Sequence, residues 1–249
     1  MSHLLKQNAE LASLYNIRNL TVDINIIIPA HNEESVISGK LLTFQAQLEE
    51  IENLTYEIIV IENGSVDGTR NVLVDLTAKD NRIVAKHISA VDYGKALKEG
   101  LKYLTSNNAF FMELDLLNIN FVRDVLTIFD GYDLIVQSKR HKNSLDMRPF
   151  IRRLITLIFN LMLKMIGFEG TDTHGNKFLK FDKCRDILNM CELDGNLFAT
   201  EFVIRCYKQK LLITELPIQI TEVRPTSISI FKRIIPSLRD YFLLLKILR

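Results

Sequence analysis

Cysteine is scarce. The 249-residue chain has three, Cys184, Cys191 and Cys206, and none lies in a C-x-x-C pair. That excludes a disulfide framework and suits a reducing, cytosolic compartment. Net charge is all but missing as well, with 31 Lys and Arg against 30 Asp and Glu. No overall field therefore draws nucleic acid to this protein. The longest uncharged apolar run, Leu154–Leu163, is about half of what a bilayer-spanning helix needs. The first twenty residues are polar and lack the apolar core of a signal peptide. Internal repeats, low-complexity segments and Pro/Gly/Ser-rich linkers are absent, so one large domain is the expectation.

What is present is a rhythm. Short β-branched runs at 23–28, 57–61, 82–87, 109–114 and 133–137 alternate with helical patterns at 33–51, 68–79, 93–104 and 121–129. Near-continuous apolar stretches such as INIII and EIIVI suit strands buried on both faces of a parallel sheet. Strand followed by helix, repeated, predicts a doubly wound α/β sheet whose ligands bind beyond the carboxyl ends of the strands. After about residue 148 the rhythm changes. Helices are predicted over 149–167, 182–190 and 197–209, a strand over 211–217, and a helical tail from 231. The expected boundaries are an N-terminal extension at 1–21, the main domain at 22–230 and an amphipathic tail at 231–249.

The polar residues gather where such a sheet would need them. The first strand ends in IIIPAHNEES, with Pro29 stopping it, Asn32 placed to cap a helix, and Glu33 and Glu34 in the helix's positive first turn. The second ends in IVIENGSVDGT, where Gly64 permits a tight turn, Ser65 or Asp67 a cap, and Gly68 the close approach of a ligand. Lys95 stands at a helix start, where it is placed either for phosphate or for solvent. AFFMELDLLN is an apolar strand ending in two carboxylates, Glu113 and Asp115. Acids so placed, completed by a diphosphate, are what Mg²⁺ or Mn²⁺ requires.

In this order the segments resemble family 2 glycosyltransferases of the GT-A kind, in particular those that use dolichyl or polyprenyl phosphates. The family's P-x-x-N-E and D-D-G-S-x-D-G-T are matched at 29–33 and 62–69, with Glu62-Asn63 for the usual Asp-Asp. The resemblance implies that Pro29, His31, Glu33, Glu62 and Asp67 hold the nucleotide, with Lys95 near its phosphates. Glu113 and Asp115 stand at the D-x-D motif and are implied as metal ligands, Glu113 also contacting the donor and Asp115 acting in catalysis. DLIVQSKR resembles the strand that ends G-S-R, followed by Arg140 facing an anionic group. GFEGTDTHGNKFLKF resembles D-x-x-x-G-[FY]-[KR], matched at Asp172, Gly175 and Lys177, with His174 and Asn176 as local departures. Glu201, Arg205, Glu215 and Pro217 match a later signature in which Lys210 replaces Gly. EVRPTSISIFK resembles the stretch that closes over the diphosphate, through Arg224 and Ser227 or Ser229.

The implied activity is inverting transfer of a hexose from a UDP- or GDP-linked donor. A polyprenyl-phosphate acceptor is already ionised and needs no base. A soluble or glycan hydroxyl would need one, with Asp172, His174 and Glu201 as candidates. A nucleotide-binding relative without catalysis is the third reading. The segment 150–168 bears on the acceptor: Arg152, Thr156, Asn160 and Lys164 form one polar stripe on an otherwise apolar cylinder, with Arg148, Arg152 and Arg153 at one end. Such a helix suits a membrane interface, a packed layer or a dimer contact. If the chain meets lipid, the expectation is peripheral contact at the inner face.

Overall fold

A computed structural model describes residues 21–220, 239 and 241–248. Strand and helix alternate as β1 (Val22–Ala30), α1 (Ile37–Glu49), β2 (Leu54–Asn63), α2 (Thr69–Lys79), β3 (Ile83–Ile88), α3 (Tyr93–Gly100), β4 (Asn108–Phe111), α4 (Ile119–Ile128) and β5 (Leu134–Ser138). The second half adds β6 (Leu145–Asp146), α5 (Phe150–Lys164), β7 (Lys177–Lys180), α6 (Phe181–Met190), α7 (Gly195–Lys208), β8 (Ile213–Pro217) and β9 (Gln219–Ile220). Seven strands make one sheet in the order β3-β2-β1-β4-β7-β5-β8, and β6 pairs with β9 apart from it.

The apolar runs explain the layers. Ile24, Ile26 and Ile28 of β1 pack with Phe44 of α1, Leu73 of α2 and Val122 of α4. Ile27 joins the opposite cluster with Leu97 of α3, Ile187 of α6 and Phe202 of α7. Consecutive residues of one strand thus feed two cores, which is why the run reads as continuously apolar. The buried exception is Asn25, whose Oδ1 accepts from Thr105 N (2.8 Å) and Ser106 N (2.7 Å) and so ties down the entry to β4. Helix α3 lies close to the sheet because Gly100 faces Ile27, where a Cβ would come within 2.5 Å of the isoleucine Cγ2.

Two differences from the sequence expectations have local causes. Helix α1 begins at Ile37 rather than near residue 33, because Asn32 is in the left-handed region (φ 54°) and Glu33 and Glu34 bond across to the β2–α2 loop. Strand β7, only four residues with a lysine at each end, is antiparallel to both β4 and β5 and joins them into one sheet. Lys210, standing where the resembled motif has glycine, adopts the left-handed conformation at φ 57°, which glycine takes more readily. Of the predicted tail, residues 241–247 are helical and Leu244 and Leu248 join the core.

The turn into β7 is unusually tight. A Cβ on Gly175 would lie 1.5 Å from the carbonyl oxygen of Gln137 in β5. Gly175→Ala is expected to force the two segments apart at a cost of about 1–3 kcal/mol or more. Thermal or urea denaturation checks this, and a variant as stable as wild type would refute it.

Candidate active site

A cavity of about 670 Å³ opens at the carboxyl ends of β1, β2, β4 and β5. Lining it are Pro29 near the end of β1 and His31 just after it, Asn63 at the end of β2, Glu113 and Asp115 after β4, and Lys139 after β5. Asp172 and His174 come from the loop before β7, and Ile155, Thr156, Phe159 and Asn160 of α5 form one wall.

Two loops are stapled together beside it. Asn32 Oδ1 accepts from Val66 N (2.9 Å), Asp67 Oδ2 from Glu34 N (3.2 Å), and Glu34 Oε2 from Gly68 N (2.9 Å). His31 Nδ1 lies 2.9 Å from the Asn63 carbonyl oxygen and hydrogen-bonds to it. The signature residues therefore mostly build the loops. Glu62, 2% exposed, accepts from Ser65 N and pairs with His87 Nδ1. Asp67 is taken up by Thr69 and Glu34.

The acidic side is electrostatically dense. Burial pushes the Glu113 carboxyl above the ordinary glutamate range, Lys139 and Lys177 pull it back, and Asp172 and Asp115 oppose them. Asp172 accepts from Lys139 N (3.0 Å) and His174 N (2.9 Å), with the Lys139 ammonium 3.7 Å away. Burial lowers the Lys177 pKa to about 8. Asp115 is exposed and ion-paired with Lys40 of α1.

A family model for glycosyl transferase family 2 matches residues 25–188, more than half of the chain. The protein belongs to this family. It is 21% identical over 252 residues to a dolichyl-phosphate beta-glucosyltransferase of Drosophila melanogaster, covering 90% of this chain and 74% of that one. Among solved structures it resembles glucosyl-3-phosphoglycerate synthase of Mycobacterium tuberculosis in complex with Mn²⁺, UDP and glucosyl-3-phosphoglycerate, with a TM-score of 0.64, 19% identity, and 96% and 82% of the two chains covered. Mannosyl-3-phosphoglycerate synthase of Rubrobacter xylanophilus gives a TM-score of 0.65 at 15% identity, covering 91% and 74%. At these identities the structural likeness speaks for the fold, which is that of the GT-A glycosyltransferases.

Within this family frame the expected site residues divide. Pro29, His31, Glu33, Glu113, Asp115 and Asp172 meet at the cavity. Glu62 and Asp67 lie behind it as loop anchors. Arg140 is exposed and does not line it; the preceding residue, Lys139, does, its ammonium donating to His174 O at 3.1 Å and lying 3.7 Å from Asp172. Lys95 points to a separate surface recess and pairs with Asp194 at 3.6 Å. Glu201 is fully buried, taking Glu192 N, Leu193 N and Arg205 Nε, so its expected role as a base gives way to holding the turn before α7. Arg224, Ser227 and Ser229 lie outside the described residues.

Sequence reasoning missed Asn63, Lys139 and Arg148 as lining residues. Asn63 carried a signal in its departure from the usual Asp. Its Oδ1 is buried without a hydrogen-bond partner among the described residues. The polar stripe of α5 also turns inward: Thr156 and Asn160 face the cavity, Asn160 Nδ2 donating to Thr171 O (2.8 Å). Phe150, Ile158, Leu161 and Met165 are left exposed.

The donor set suits a hard divalent cation held partly by substrate. Among the described residues no three acids, histidines or cysteines converge as a complete metal cage. Mg²⁺-type sites commonly use one or two carboxylates plus substrate phosphates, and Glu113 and Asp115 bring two carboxylates to the cavity.

His174 gives a pH signature. Burial lowers its pKa to about 4, below the ordinary value of 6.5. The unfolded chain then takes up the proton first, so stability should be full above about pH 6.5 and fall as the pH drops toward 4. His174→Gln should flatten that part of the stability–pH curve, measured by urea denaturation at each pH. An unchanged slope would refute the assignment.

Proposed function

We propose that this chain transfers a hexose, with inversion, from a UDP- or GDP-linked donor to a polyprenyl phosphate at the cytoplasmic face of a membrane. The observation that carries the acceptor is α5. Its inner face walls the carboxylate-lined cavity, while Phe150, Ile158, Leu161 and Met165 present an apolar outer face. Exposed Arg153 and Lys164 on the same helix suit anionic headgroups. The curated relative named above acts, by its name, on dolichyl phosphate. The three cysteines are free and buried, as a reducing compartment allows.

On this reading Asn63 reads the base. Its unpartnered Oδ1 needs an N–H donor, which uracil and guanine both offer beside a carbonyl. Pro29, His31 and Glu33 complete the donor pocket. Glu113 and Asp115 hold Mg²⁺ or Mn²⁺, which would offset charge on the leaving diphosphate. Lys139 and Arg148 add positive charge for the phosphates. The acceptor oxygen attacks the sugar's anomeric carbon as the bond to the diphosphate breaks. An ionised phosphate supplies that oxygen, so positioning and electrostatics do most of the catalysis.

A second reading keeps the donor and takes a soluble acceptor. The two structural neighbours act, by their names, on phosphoglycerate, and neutral His174 beside Asp172 in the cavity would serve as the base for a hydroxyl.

The decisive experiment is transfer of radiolabelled sugar from a UDP- and GDP-sugar panel into polyprenyl phosphate in anionic vesicles, with flotation of the protein alongside. The proposal expects a lipid-linked product that needs Mn²⁺ or Mg²⁺, lost in Asp115→Ala. Product on a water-soluble acceptor alone would favour the second reading. Asn63→Leu should weaken nucleotide binding by about 1–2 kcal/mol. The double variant Ile158→Glu, Leu161→Glu should abolish flotation while thermal shift by the nucleotide persists.

A further inference from the structure

Asn176 stands where the resembled motif has an aromatic residue, and it is 1% exposed. Its side chain spends both ends on the loop that carries the two acids. Oδ1 accepts from Glu113 N at 3.2 Å, and Nδ2 donates to Leu116 O at 2.7 Å. The same Nδ2 donates to Gln137 Oε1 at 3.0 Å, while Gln137 N donates to Asn176 O at 2.8 Å. Gln137 is 2% exposed at the end of β5. Within the loop, Leu116 N closes a turn onto Glu113 O at 2.8 Å.

A single carboxamide thus grips the first and last residues of the turn Glu113–Leu116. Its backbone is seated on β5 through the approach that Gly175 permits. A phenylalanine side chain could make neither bond, and a tyrosine's single hydroxyl could not stand in for both ends of the carboxamide. The position is buried and held by a group that donates and accepts, with both amide N–H groups and the carbonyl oxygen engaged.

We propose that Asn176, backed by Gln137, is a positioning residue for the metal-binding turn, fixing where Glu113 and Asp115 present their carboxylates to a divalent cation bound with the nucleotide. This inference rests on the reading of Glu113 and Asp115 as the metal ligands. It also gives a reason why this chain tolerates Glu at the first acidic position. The side chain is one methylene longer than Asp, and a loop held at both ends can set its reach. Groups that orient metal ligands from behind commonly account for 10–100-fold in metal affinity.

The test is Mn²⁺ binding to the full chain, followed by electron paramagnetic resonance, with UDP or GDP present and absent. Asn176→Leu, which keeps the branch at Cγ and removes both hydrogen bonds, should weaken Mn²⁺ binding in the presence of nucleotide by about tenfold. Nucleotide binding in EDTA should stay at the wild-type level, which a general loss of structure would not allow. The amides of Glu113 and Leu116 should exchange hydrogen faster. Gln137→Leu, which removes only the backing bond, should weaken Mn²⁺ binding less and in the same direction, and it serves if the first variant does not fold. A folded variant with wild-type Mn²⁺ affinity would overturn the positioning role. If the wild-type chain itself binds no Mn²⁺ with either nucleotide, both the role and the underlying metal reading fall.

Discussion

Lys177 is the constraint on which the active end of this protein depends. Its ammonium is buried, donates to Gly175 O at 2.7 Å, and is coupled electrostatically to Glu113 and Asp172. Burying one charge alone is costly, and burying three of mixed sign is tolerable only when they answer one another. Lys177 does this from the first position of β7, whose register pairs it with Phe111 of β4 and Val136 of β5. The strand that completes the sheet also carries the counter-charge for the carboxylates at its edge. Fold and site are therefore joined at a single residue.

That joint explains why the short antiparallel strand matters more than its length implies. Without β7, β4 and β5 would have no hydrogen-bonded neighbour between them, and the acidic turn would lose its support from Asn176. The other side of the cavity is built differently. There the β1–α1 and β2–α2 loops brace each other through Asn32, Glu34, Asp67 and Thr69. Many of the polar residues that mark the family pattern serve this bracing. The two functions, presenting a ligand surface and keeping the loops rigid, draw on the same short segments.

Helix α5 shows how a correct periodicity leaves its orientation open. The stripe at Thr156 and Asn160 is real, but it faces the cavity rather than water. Amphipathic helices in soluble proteins usually turn their apolar side inward. Here the open cavity and its loops offer partners for the stripe, such as Thr171 O for Asn160, and the outer face stays apolar. Phe159 meets the His174 ring edge-on, with centroids 6.1 Å apart, so α5 is also tied to the loop before β7.

By itself the sequence determined the alternating α/β plan and the family, because apolar runs of strand length and ordered short motifs are local patterns that survive without coordinates. Through the ordered motifs it also pointed to Glu113, Asp115, Asp172 and His31, which line the cavity. Tertiary structure decided what no local pattern carries. It placed Lys139 rather than Arg140 at the cavity, because the Lys139 ammonium is held by His174 O and Asp172 from a distant loop. It committed Glu62, Asp67 and Glu201 to backbone and loop partners, because a carboxylate's role is set by which donors reach it. And it gave Asn176 and Lys177 their meaning through the antiparallel register of β7, a pairing between segments far apart in the chain.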